Sequence, residues 1–209
     1  MKKYITEFIG TFFLVIVIGL TVNGGIGPMA PLGIGFTLIA LIYAGGHVSG
    51  AHYNPAVTLA VFIRKKIPGS DVIPYVLAQL SGAALAAITT SFLIPGKMPV
   101  EAPLMHDLWR ALVAELIGTF ALVYVVLNVA TAKSTAGNSY YGLAIGLTVI
   151  GIAYAFGEIS GGAFNPAVAL SICIMKMLSW NYIWLYLAGS AVAAAIAAFL
   201  FNSMHKDEN

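Results

Sequence analysis

The chain contains itself twice. Residues 46–65 align without a gap on residues 157–176, with ten of twenty positions identical. Residues 6–15 align on 114–123 with seven of ten identical, and residues 32–44 match 143–155 in the register of the first pair. Self-similarity of this kind means one structural unit made twice. The division falls near residue 95, giving a first copy over 1–95 and a second over 96–209. Each copy holds three long apolar stretches. Three is odd, so the second copy must enter an apolar layer from the opposite face. The constraint is therefore an inverted repeat with a pseudo-twofold axis in the membrane plane.

Composition agrees that the layer is a lipid bilayer. Of 209 residues, 60% are hydrophobic and 9% charged, where a soluble domain carries roughly 25% charged residues. Six stretches, near 4–22, 31–48, 71–94, 108–130, 140–158 and 180–203, are long enough to cross about 30 Å of hydrocarbon as helices. Breakers separate them: Asn23-Gly24-Gly25 with Pro28 and Pro31, then Pro68-Gly69, then Pro95-Gly96 with Pro99 and Pro103, then Gly137-Asn138. Glu7 within the first apolar run, and the lack of a small-x-small cleavage site after it, argue for a retained span rather than a signal peptide. With six spans both termini share a face. That face holds seven of the ten basic residues, which predicts cytoplasmic termini.

Several function classes lose support. A net charge of +2 without a basic aromatic stripe excludes nucleic acid as a partner. One cysteine, Cys173, excludes an intrachain disulfide. No Cys/His cluster points to a metal, no glycine-rich loop to a phosphate cofactor, and no Ser/His, Asp/Asp or His/Glu set within the spans to an enzyme.

Two further apolar segments, 54–65 and 165–176, are too short to span. Neither has a polar face, so each must be buried nearly all round. They open on Asn54-Pro55-Ala56 and Asn165-Pro166-Ala167. Asn is a favoured N-cap and Pro a favoured first helical residue. An inverted frame lets the two half-length helices meet at the midplane with both asparagines facing a common axis. Capping uses each side-chain oxygen and leaves the NH2 free to donate. The preceding stretches, 46–53 and 157–164, read as irregular backbone, which survives at membrane depth only when buried in protein or lining a wet cavity. Their carbonyls then form an acceptor ladder, with His47, Gly50, Ala51, His52, Gly161 and Ala163 along it. Helix N-termini carry roughly half a positive charge each. Two aimed at one point oppose any cation there.

Glu7 and Glu115 occupy equivalent places in the two copies. With no intramembrane Lys or Arg beside them, they read as acceptors for irregular loop backbone rather than a proton relay. His47 and His52 read as pore wall or loop braces, with gating by pH as the alternative; Glu158 reads as a solvated rim, Cys173 as packing, and Trp109, Trp180 and Trp184 as interfacial anchors. Tyr43 and Tyr154 form a symmetric pair facing either the pore or a packing seam. A secondary transporter also uses inverted repeats and broken helices, but only Glu7 and Glu115 offer it coupling-ion ligands.

These residues resemble the aquaporin, or major intrinsic protein, family. The resemblance rests on the paired Asn-Pro-Ala motifs, on Ser49-Gly50-Ala51-His52, on Glu-x-x-Gly-Thr at 7–11 and 115–119, and on Tyr75-x-x-Ala78-Gln79-x-x-Gly82-Ala83. It implies an all-α fold of six transmembrane helices and two re-entrant half-helices. It also implies a homotetramer with one pore per protomer in a cell membrane, passive flow and no cofactor. The family's narrow filter falls here on Ile34, Ala153, Gly162 and Val168. Water-strict relatives are similar in having an aromatic, a histidine, a small residue and an arginine there. Val168 in the arginine's place resembles the tonoplast-type plant branch, which implies a broader range of neutral solutes: water, with hydrogen peroxide, ammonia or urea. Ala169, where glycerol-type members place an aspartate, does not fit that sub-type.

Overall fold

The computed structural model describes residues 1–97 and 107–208. Pro99 and Pro103 lie outside the described residues. Among those described, eight α-helices and no strand occur: α1 (Lys2–Asn23), α2 (Ala30–Ser49), α3 (Pro55–Ile63), α4 (Gly69–Leu93), α5 (Leu108–Ala130), α6 (Tyr141–Ser160), α7 (Pro166–Ile174) and α8 (Ile183–Met204). Six are long and apolar enough to cross a membrane. Their outward faces are greasy: Ile73, Phe92 and Phe199 are all largely exposed. Such a surface needs lipid as its solvent.

The packing repeats across the pseudo-twofold axis. α1 lies against α2 and α4, and α5 lies against α6 and α8. The short helices cross over, α3 packing on α8 and α7 on α4. α2 and α6 meet directly, through glycine: a β-carbon on Gly35 would sit 2.2 Å from Ile150, and one on Gly146 would sit 2.3 Å from Ile39.

The half-helices stop after nine residues for a local reason. At the end of α3, Lys65 takes a left-handed φ of 59°, its N–H reaches Phe62 O at 2.8 Å, and Lys66 N reaches Val61 O at 3.0 Å. Lys176, also at φ 59°, ends α7 in the same way, with Met177 N on Ile172 O at 2.8 Å. These are Schellman turns, which satisfy the last carbonyls and reverse the chain. A lysine at each end also complements the helix dipole. Both helices therefore end two residues short of the sequence expectation. At about 1.5 Å per residue, each covers half a bilayer core.

A second difference concerns the loops. Residues 46–49 and 157–160, expected to be irregular, are the last turns of α2 and α6. Gly50 at φ 86° and Gly161 at φ 85° close those helices, their N–H groups bonding to Gly46 O and Gly157 O. Irregular backbone is confined to 50–54 and 161–165.

Each loop wedges an aromatic ring against a glycine. A β-carbon on Gly10 would lie 2.0 Å from the Tyr53 ring, and one on Gly118 would lie 2.3 Å from Phe164. The Tyr53 hydroxyl donates to Leu41 O at 3.0 Å, so that ring cannot easily withdraw. Overpacking costs ~1–3 kcal/mol. Gly10→Ala and Gly118→Ala should each lower the melting temperature of the detergent-solubilised protein by several degrees, or abolish its monodisperse peak on gel filtration. Gly151→Ala, where a β-carbon meets nothing within 4 Å, should run like the parent.

Candidate functional site: a capped half-helix pair on a continuous cavity

At the head of α3, Asn54 Oδ1 accepts from Ala56 N at 2.8 Å; at the head of α7, Asn165 Oδ1 accepts from Ala167 N at 2.9 Å. Both asparagines are extended and both prolines sit at the first helical position. The caps form as the residue types require. The amide groups do more than the sequence reading allowed. Asn54 Nδ2 donates to Phe164 O at 3.0 Å, and Asn165 Nδ2 donates to Tyr53 O at 2.9 Å. Each asparagine thus ties its own helix to the loop of the other copy, and the two bonds cross the axis as a reciprocal pair. An NH2 carries two hydrogens. One on each side is engaged, so the NH2 groups are half committed rather than free.

The loop backbone is anchored by the two buried carboxylates. Glu7 accepts from Ser49 Oγ at 2.7 Å, His52 N at 2.9 Å, Tyr53 N at 2.7 Å and Gln79 Nε2 at 2.8 Å. Glu115 accepts from Ser160 Oγ at 2.7 Å, Ala163 N at 3.0 Å and Phe164 N at 2.7 Å. Tyr53 and Phe164 each have φ 48°, a left-handed setting that side chains with a β-carbon adopt only under constraint. Tyr75 Oη donates to Ser49 O at 2.8 Å, and Tyr186 Oη makes the equivalent bond to Ser160 O.

The first copy carries extra polar chemistry. Thr58 Oγ1 donates to Asn54 O at 3.1 Å, accepts from Gln79 Nε2 at 2.9 Å and lies 3.1 Å from His52 Nδ1. Its single proton is spent on Asn54 O, so His52 Nδ1 is the donor, and in a neutral ring Nε2 is then an acceptor. The second copy has Ala163, Ala169 and Ser190 at the matching positions. Thr58, Gln79 and the Tyr75/Tyr186 pair were not identified from sequence as loop supports. The signal available was the tyrosine pair itself, which recurs at the spacing of the repeat.

A cavity of about 1910 Å³ runs the length of the molecule. It opens beside Lys66, Lys133 and Asn138 on the face that carries the termini, and beside Pro28, Arg110 and Glu158 on the other. Asn54 and Asn165 line it, as do Ile34, Ala153, Gly162, Val168, His47, Gly50, Ala51, His52, Gly161 and Ala163. Pro55, Ala56, Pro166 and Ala167 stand behind the wall; both alanines are buried. Tyr43 and Tyr154 brace opposite loops, Tyr43 Oη donating to Ser139 O at 2.9 Å and Tyr154 Oη to Pro28 O at 2.8 Å. Cys173 is buried in α7, and Trp109, Trp180 and Trp184 are exposed near helix ends. No grouping of His, Cys, Asp and Glu suited to a metal occurs among the described residues.

At the terminal-face mouth the C-terminal segment clasps the wall. Glu208 accepts from Lys133 N at 2.9 Å and pairs with Arg64 Nη2 at 3.1 Å. The Lys133 backbone N–H, ahead of the Arg64 charge, holds the Glu208 carboxyl below its ordinary range.

Two capped half-helices meeting tip to tip on a through-going cavity are a channel architecture, and comparison with known proteins gives it a family. The model of the major intrinsic proteins matches residues 1–201. The chain belongs to the major intrinsic protein family. It is 36% identical to aquaporin AqpM of Methanothermobacter thermautotrophicus, covering 96% of both chains. It is 32% identical to glycerol uptake facilitator protein-like 6 of Lactiplantibacillus plantarum over the full length of both. Among solved structures, the aquaglyceroporin from Plasmodium falciparum superposes with a TM-score of 0.81 at 25% identity, covering 96% of this chain and 95% of that one. The aquaporin homologues are channels and not enzymes. This family member is accordingly an integral multi-pass membrane protein and a passive channel for water or small solutes.

The carboxylate anchors yield a test. Glu7→Gln and Glu115→Gln are isosteric but replace one acceptor oxygen by a donor, which then faces a backbone N–H. An unsatisfied buried group costs about 1–3 kcal/mol. Both variants should lose several degrees of thermal stability and much of their membrane yield, whereas protein that does fold should show no proton leak. A proton leak in well-folded Glu7→Gln vesicles would instead assign the carboxylate to a relay.

Proposed function

We propose that this channel passes water together with small neutral solutes, hydrogen peroxide, ammonia and urea among them, and excludes ions and protons. The observation that carries this reading is the crossed asparagine pair at the middle of a cavity whose wall on either side is largely aliphatic. Each amide keeps one N–H for the lumen. A water accepting from both through its oxygen has its own hydrogens turned away along the axis, and so is badly placed to relay a proton. The two helix N-termini behind the asparagines add a positive potential at the same point, which opposes cations, hydronium included. Ions also meet the cost of leaving water between apolar walls.

The four positions Ile34, Ala153, Gly162 and Val168 form a constriction without a fixed cation, an aromatic or a histidine. Their character supports a wide, weakly polar passage. The chain is taken to work as two inverted halves, 1–95 and 96–209, assembled into a homotetramer with one pore per protomer. It sits in the cell membrane with both termini in the cytoplasm. The orientation rests on the seven-to-three distribution of basic residues, and the assembly on family resemblance.

Stopped-flow light scattering of proteoliposomes tests the reading. Osmotic water permeability should rise well above protein-free vesicles and respond linearly to the gradient, with urea and ammonia fluxes above background. Val168→Arg adds bulk and charge to the constriction, and should cut urea flux several-fold while water flow persists. Unchanged urea flux would remove Val168 from the constriction, and absence of any osmotic water flow would remove the channel reading.

A further inference from the structure

The inverted repeat gives every constriction residue a partner on the other side of the asparagine pair. At the spacing of the repeat, Ile34 corresponds to Ile145, Ala153 to Ile42, Gly162 to Ala51 and Val168 to Val57. All eight side chains or backbone positions line the cavity. The pore therefore has two apolar rings: a far ring of Ile34, Ala153, Gly162 and Val168, and a near ring of Ile145, Ile42, Ala51 and Val57 toward the terminal face.

We propose that the size limit of this channel is set by the near ring and not by the far ring. The inference rests on the channel reading above and deepens it. Residue for residue, the near ring is the bulkier. An isoleucine stands where the far ring has an alanine, and an alanine where it has a glycine; the remaining two pairs are identical. The near-ring side chains are also packed into the protein core and leave little surface open to water. Ile145, Ile42, Ala51 and Val57 are 7%, 2%, 8% and 4% exposed. Of the far ring only Val168 is so covered, at 5%, while Ile34, Ala153 and Gly162 are half-buried.

The next position along the loop sharpens the contrast. His52 follows Ala51 in the near half and lines the cavity, where the far half has Ala163. Its ring is held against Thr58 and packs on Tyr75 with centroids 5.2 Å apart, so it does not swing aside without breaking that network. Against this contrast, the far half puts Phe156 into the cavity wall, where the near half has Gly45. A β-carbon on Gly45 would lie 1.9 Å from Tyr53 Oη. Phe164 has no hydroxyl, and Phe156 fills the equivalent space, its ring edge-on to Phe164 at 6.4 Å. It substitutes for the missing hydroxyl while forming part of the cavity wall.

Adding bulk narrows a pore at any depth, so the discriminating variants remove it. Ile42→Ala with Ala51→Gly makes the near ring identical in composition to the far ring. Ala51→Gly alone guards against misfolding: Ala51 has φ 51°, where glycine is the less strained residue. Ile34→Ala combined with Val168→Ala removes five side-chain carbons from the far ring, one more than the near-ring double removes. Each protein, quantified per vesicle, is assayed by stopped-flow light scattering with water, urea and a series of polyols of increasing size. The near-ring double variant should raise urea and polyol permeability relative to water several-fold and shift the cut-off to a larger polyol. Ala51→Gly should move in the same direction by less, and the far-ring double should give a smaller rise than the near-ring double. An equal or larger rise from the far-ring double overturns the proposal. Wild-type vesicles without osmotic water flow would overturn the channel reading itself, a separate result from the order of the two rings.

Discussion

Backbone that leaves helical geometry inside hydrocarbon must find hydrogen-bond partners within the protein, and here two buried carboxylates supply them. Each unpaired amide at membrane depth costs several kcal/mol, and each residue with a β-carbon held at positive φ adds about 1–3 kcal/mol. Glu7 gathers the donors of Ser49, His52, Tyr53 and Gln79; Glu115 gathers those of Ser160, Ala163 and Phe164. A carboxylate suits this task because it accepts through two oxygens and donates nothing. With the N–H groups pulled outward to the glutamates, the Tyr53 and Phe164 carbonyls are left facing the axis, where the opposite asparagine takes them. The glutamates set the loops, the loops set the asparagines, and the asparagines lock the copies to each other.

Symmetry then explains both what is duplicated and what is not. The parts that must match across the axis do: the caps, the Schellman turns at Lys65 and Lys176, the tyrosines bonded to Ser49 O and Ser160 O, the glycines under the loop rings. Departures cluster in the first copy. Thr58, Gln79 and His52 form a connected polar set there, and Arg64, the counterpart of Met175, reaches Glu208 and the ring of Phe201. A pore that opens on two unlike compartments has no reason to keep its halves identical. Of these departures only His52 lines the cavity, while Thr58, Gln79 and Arg64 are buried behind it.

Much of this was legible from residues alone, because the decisive features are local or periodic. An Asn-Pro pair ahead of an apolar run specifies a capped helix wherever it lies. A three-span unit made twice specifies inversion by parity. Two glutamates at the same place in both copies, without cations beside them, specify loop anchors. What escaped the sequence was relational. Nothing local to Asn54 says that its amide will meet the carbonyl of Phe164, 110 positions away. Nothing in the run from Gly46 shows that α2 continues to Ser49, since the αL glycine that stops it is one of several glycines on offer. The half-helix ends were misplaced by two residues because a lysine in a left-handed turn carries no compositional mark.

The proposed exclusion of ions has to be met without a fixed positive side chain at Ile34, Ala153, Gly162 or Val168. Coulomb repulsion from an arginine is one solution. Geometry here supplies another, with the charge delivered by peptide dipoles. α3 and α7 end their positive poles at the same depth, behind asparagines whose oxygens already cap the nearest N–H groups. The field of two half charges is modest in water but large between apolar walls, where the effective dielectric falls. Lining residues such as Ile34, Ile42, Val57, Ile145 and Val168 offer a dehydrated ion no replacement ligands. The cost of stripping water therefore adds to the dipole term instead of being offset by it. On the proposed reading neutral solutes feel neither penalty and are sorted by width, which makes the volumes of a few aliphatic side chains the variables that can change without disturbing the asparagine lock.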